Sequence, residues 1–232
     1  MTRTFALLAL ACAAAGAQPS PFVADYRVLR GSMHIADARI ELGRDAEDGW
    51  TLRSTTEPVA IFRLITDDVV VETSTFRFGE AGPIPLHYHY EQRNSKKDRD
   101  ERYAFDWAAG RVTGTARGQK VELAVPRGTL DPLLLRIAVG DALARAALAG
   151  SYAVVERGKL RDYAVARTPL STIKVPAGEF EVEGVARVSE DGRKTTRLRY
   201  AAKLDWLPVV IEHAERDKPT YRLELTKVTR PD

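Results

Sequence analysis

From Phe22 the chain alternates between apolar and polar positions. Phe22, Ala24, Tyr26 and Val28 fall on one side of an extended segment and Asp25 and Arg27 on the other, which is the period of a half-buried strand. Gly31 interrupts it, a second strand is predicted over about Ser32 to Leu42, and the acidic turn Asp45 to Gly49 leads to a third over Trp50 to Thr56. Together these three read as an antiparallel meander. Pro58 closes the third strand, and the apolar run Val59 to Ile65 fits a helical turn and a buried strand equally. Strand periodicity resumes at Asp68 to Phe78 and stops at a loop carrying Gly79, Gly82, Pro83 and Pro85.

The next strand, Leu86 to Asn94, sets Leu86, Tyr88, Tyr90 and Gln92 on one face and His87, His89, Glu91 and Arg93 on the other. Glu101 to Trp107 then aligns Tyr103, Phe105 and Trp107, so two aromatic faces are suited to pairing across one hairpin. A further hairpin spans Gly110 to Gly118 and Gln119 to Val125. After a break at Thr129 to Leu148, strands are predicted at Tyr152 to Arg157, Leu160 to Thr168, a pair around Pro176 to Gly178, Phe180 to Ser189, Thr195 to Asp205, Leu207 to Glu215 and Thr220 to Val228. Asp191-Gly192 is a strong hairpin signal within that series.

Thr129 to Leu148 is the one stretch with helical character. Asp131 can cap its first turn, Pro132 suits the first helical position, and Gly150 suits a left-handed exit. Its only charges are Arg136, Asp141 and Arg145, so apolar residues cover most of its circumference and it is expected to be covered on more than one side. The pattern therefore predicts an all-β, mainly antiparallel fold: a strongly curved, partly closed sheet or half-barrel around one central helix.

Residues 1 to 17 change the cellular setting. A basic start at Arg3, an apolar run from Phe5 to Ala15 and small residues at Ala15 and Ala17 form the pattern of a secretory signal peptide cleaved near Ala17. That leaves residues 18–232 as a single periplasmic domain. The only cysteine, Cys12, falls within the leader, and no other stretch approaches the ~20 apolar residues of a membrane span. Charge is balanced, with 35 Lys and Arg against 32 Asp and Glu, and the densest run, Arg93 to Arg102, carries both signs. A nucleic-acid protein gathers its basic residues into a patch, so no nucleic-acid partner is expected.

Several segments read together: Tyr26-x-Val28, the strand opening at Pro85 to Tyr88, Leu130-Asp131-Pro132-Leu133, Val175 to Phe180 and Trp206 to Glu212. In this order they resemble the bacterial exported family known as domain of unknown function 3108, over roughly Phe22 to Val228. The resemblance implies an envelope β protein with a helical insertion, similar to the carriers that move lipoproteins across the periplasm, and it supplies no catalytic residues. Fold analogy does not fix function.

Candidate chemistry is sparse. His87 and His89 project from one face and can share a metal only with a third ligand from Glu91, His34 or His213, so paired polar residues on a solvent face is the commoner arrangement and no metal or cofactor is expected. No nucleophile elbow is present. Tyr88, Tyr90, Phe105 and Trp107, with Leu134 of the helix, are the candidate ligand-binding residues for a lipid or acyl chain in a concave apolar site. The same side chains can equally fill a core, which is the commoner use of such positions. The expected function is binding or chaperoning of an apolar envelope component, without catalysis. The alternative is a protein-interaction or scaffold module with an envelope protein partner and no small ligand.

Overall fold

The computed structural model describes residues 20–45, 49–64, 68–93, 99–189 and 192–231. The expected leader, the tip of the Arg93 to Arg102 hairpin, the Asp45 to Gly49 turn, Ile65 and the Asp191 turn position lie wholly or partly outside them. Fourteen strands form one antiparallel sheet that is not closed into a barrel. Its first eight strands are β1 (Phe22–Arg30), β2 (Met33–Arg44), β3 (Trp50–Pro58), β4 (Val69–Gly79), β5 (Gly82–Arg93), β6 (Arg99–Asp106), β7 (Arg111–Ala116) and β8 (Gln119–Ala124). Helix α1 (Leu134–Ala144) follows, and then come β9 (Ser151–Glu156), β10 (Lys159–Val175), β11 (Gly178–Val188), β12 (Lys194–Ala201), β13 (Leu207–Glu215) and β14 (Tyr221–Thr229).

Every strand pairs with its neighbours in sequence except β8 and β9, and β1 also pairs with β14, which joins the two ends of the chain in mid-sheet. β8 and β9 are consequently the two edges, and α1 is the segment that connects them. The predicted inner face of β1 is the buried one: Phe22, Ala24, Tyr26 and Val28 are all in the core. Trp50, Leu52 and Phe76 continue that core along β3 and β4, and the Tyr26 hydroxyl donates to the Pro208 carbonyl at 2.8 Å across the sheet.

Several elements differ from the sequence expectation. The helix is shorter at both ends. Before it, Leu130 lies against the edge of β9: its N–H donates to Ala153 O at 2.9 Å and its carbonyl accepts from the Val155 N–H at 2.9 Å. That edge is thus partly covered rather than left open. Asp131 does cap the helix, accepting from the Leu133 and Leu134 N–H groups at 3.0 and 2.8 Å. At the other end Ala146, not Gly150, takes the left-handed conformation, with φ 54°. The Ala147 N–H reaches Ala142 O and the Ala146 N–H reaches Leu143 O, which closes a Schellman motif on a residue that is not glycine.

β10 runs as one strand where two were expected. Its register slips between Thr168 and Ser171, around Pro169, which has no N–H to give the ladder. β5 begins at Gly82, because the glycine- and proline-containing loop closes as a tight hairpin in which Gly79 faces Gly82. The undecided run after Pro58 forms a 3-10 turn at Phe62–Leu64.

Candidate functional site

The helix stands inside the curve of the sheet as a post. Leu134 is fully buried, and Gly140 lies where an added Cβ would sit 2.6 Å from Trp206 O and 3.4 Å from the Tyr200 ring. Only glycine permits that close approach to the β12–β13 corner. The Tyr200 hydroxyl fixes the helix further by donating to Arg136 O at 3.1 Å. With the helix so held, distinct cavities open along different sides of it.

The first, about 260 Å³, holds a charged network and lies between Leu135, Arg136 and Val139 of the helix and the inner faces of β4 to β6 and β9 to β13. Three carboxylates point into it from strand positions where apolar residues would be ordinary. Glu72 accepts from the Tyr88 hydroxyl at 2.9 Å and faces Arg136 at 3.6 Å. Glu101, buried, accepts from the Tyr103 hydroxyl at 2.8 Å and from the Arg157 N–H at 2.9 Å. Glu156 accepts from the Tyr163 hydroxyl, and Arg187 lies over the Tyr163 ring at 3.2 Å. Burial, with the carboxylate partners second, raises the Tyr103 and Tyr163 pKa values, so these phenols stay protonated donors. The network uses its hydroxyls to satisfy buried carboxylates, as buried charges require.

The second cavity, about 820 Å³, opens beside the first around α1. Its walls are Pro83, Ile84 and Pro85 at the start of β5, Trp107 after β6, Leu130, and Ala138 and Ala142 on the helix. The small helix residues leave the space that larger ones would fill. The Trp107 indole N–H donates to Pro85 O at 2.7 Å and the ring stacks on Phe105 at 5.7 Å, so this wall is fixed. Tyr152 closes the far side. Its buried hydroxyl has no hydrogen-bond partner of good geometry, the Ala149 N–H beside it falling short of one. Arg77, Arg127 and Arg145 line the mouth with Glu80.

The residues expected to bind a ligand are therefore divided. Tyr88 and Tyr90 line the first cavity, Trp107 lines the second, and Phe105 and Leu134 belong to the packed core. Tyr88 stacks on Tyr103 at 5.9 Å, the cross-strand pairing expected of that hairpin. Neither cavity's arginines were singled out as binding residues from sequence. The available signal was acidic residues, Glu72 and Glu101, in phase with aromatic ones on the inner face of their strands. His87 and His89 lie on β5 with Thr75 and Asp100 as partners, at 3.3 and 3.0 Å. His34 bonds Asp37 on β2, whereas His213 lines the first cavity from β13. Among the described residues no three His, Cys, Asp or Glu side chains gather as a metal site requires.

The strand order and helix placement set the frame for comparison with other proteins. The family model described as Protein of unknown function (DUF3108) matches residues 23–226. The chain belongs to that family. No curated protein matches this DUF3108 chain. Its fold is similar to that of a β-barrel-like protein of domain of unknown function DUF1849 from Brucella abortus. That likeness has a TM-score of 0.60 at 12% identity and covers 92% of this chain and 98% of the other. Weaker likenesses are to a presumed exported protein with a YmcC-like fold from Bacteroides fragilis (TM-score 0.34, 9% identity, 91% and 97% covered) and a presumed lipoprotein from Parabacteroides distasonis (0.33, 10%, 91% and 96%). The DUF1849 likeness establishes the DUF3108 fold as an open, barrel-like antiparallel sheet, and no function passes with it. Among its described residues no helix is long and apolar enough to cross a membrane.

Proposed function

We propose that this protein is exported to the periplasm and there binds or chaperones an apolar or amphipathic envelope component, a lipid or acyl chain. The leader pattern at Arg3 and Phe5 to Ala15 supports export. The observation that carries the binding reading is the 820 Å³ cavity walled by Trp107, Ile84, Leu130 and the alanine face of α1. Its volume lies in the upper half of the ~300–1,000 Å³ range of ligand pockets, and it joins an apolar wall to a charged mouth.

Displacement of a fluorescent acyl probe from the purified protein tests it. Ala149 is exposed and lines the cavity. Ala149→Trp fills that space from the surface, so it is expected to weaken probe binding about tenfold or more, with the melting temperature nearly unchanged. A protein that binds no acyl probe contradicts the reading. A second reading, a scaffold for an envelope protein, is favoured by one feature: among the described residues β8 has a neighbour on one side only, which leaves a free edge for strand addition.

A further inference from the structure

Part of the charge at the mouth of the second cavity has no internal partner. Its charged lining groups are Arg77, Glu80, Arg127 and Arg145, three cations against one anion. Among the described residues Arg77 and Arg127 make no ion pair and no side-chain hydrogen bond. Arg145 is held in place, donating through Nε to Asp141 at 3.0 Å and through Nη2 to Ala81 O at 3.1 Å. Arg127 sits on a turn that Thr129 fixes by donating from its hydroxyl to Pro126 O at 2.8 Å. Arg77 and Arg127 thus bring two guanidiniums without an internal partner to the lining of one cavity.

Resting on the carrier reading above, we propose that the occupant is a single-chain amphiphile with an anionic head, its chain in the cavity and its head between Arg77 and Arg127. The cavity has room for at least one such chain. The guanidinium forks match a carboxylate or phosphate, which both accept paired N–H donors.

The test compares dodecanoate, dodecyl phosphate and uncharged dodecyl maltoside as competitors of a fluorescent acyl probe on the purified protein. At least one anionic competitor is expected to bind on the order of tenfold or more tighter than the maltoside, the scale of one charge-assisted hydrogen bond. That preference should shrink with added salt and vanish in an Arg77→Gln, Arg127→Gln double variant, both positions being exposed. Equal affinity for charged and uncharged heads overturns the anionic head while leaving the carrier reading standing. A preference that survives in the double variant overturns its assignment to these arginines. Failure of all three competitors and of the probe itself removes the carrier reading and this inference with it.

Discussion

Asp131 shows what one residue costs and contributes at this fold's centre. It is fully buried, and its carboxyl accepts from the Ser74 hydroxyl at 2.6 Å as well as from the two helix N–H groups. Burial pushes its pKa up to about 7 from 3.8, outweighing the Ser74 and backbone hydrogen bonds that lower it. The sign of the pH effect follows. Between about pH 4 and 7 the unfolded chain has released this proton while the folded chain still holds it, so stability falls as pH rises through that window. Asp131→Asn keeps an acceptor for the cap and removes the titration. The parent is expected to lose stability relative to this variant on going from pH 4 to 8, by up to a few kcal/mol, or several degrees in melting temperature. Parallel melting curves for the two proteins across that range contradict the assignment. Asp131 was recognisable as a cap from its place before Pro132; its burial was not, because burial depends on Ser74, which is 57 positions away in sequence.

At the scale of the element, the helix ends where tertiary contacts end it. Helical spacing alone extends it to Leu148, but the chain turns at Ala146, Arg145 is drawn to Ala81 O, and Leu148 packs beside Val139, Leu143 and Tyr200. Ala146 adopts the left-handed conformation at a cost of roughly 1–2 kcal/mol that glycine does not incur. Part of the gain from glycine is offset by its greater freedom in the unfolded chain. Ala146→Gly is therefore expected to stabilise by up to about 1 kcal/mol, raising the melting temperature by roughly 2–4 °C. A lower melting temperature in that variant contradicts the Schellman closure. The N-terminal shortening has a similar origin. Leu130 carries a helix-compatible side chain, but its backbone groups are taken by the edge of β9, a pairing that no local pattern announces.

At the scale of the molecule, the meander was legible because each strand's inner residues repeat every second position, from Phe22 to Val28 and onward. The closing pair was not. β1 and β14 lie at opposite ends of the chain, and period-two alternation identifies a strand's buried face without naming its neighbour. The same limit hid the division of the interior. Tyr88 and Trp107 read as parts of two aromatic faces pairing across one hairpin, yet they line different cavities beside the helix. Among the cavities beside the helix, the one walled by Trp107 and the alanine face of α1 is the proposed seat of an acyl chain. Native mass spectrometry of the protein, purified gently from the cells that make it, decides whether the proposed acyl chain is there. The account predicts a co-purifying species of single-acyl-chain mass, in about one copy per chain, that is absent from the Ala149→Trp variant; a protein that leaves the envelope at its bare mass, or bound only to another polypeptide, would contradict it.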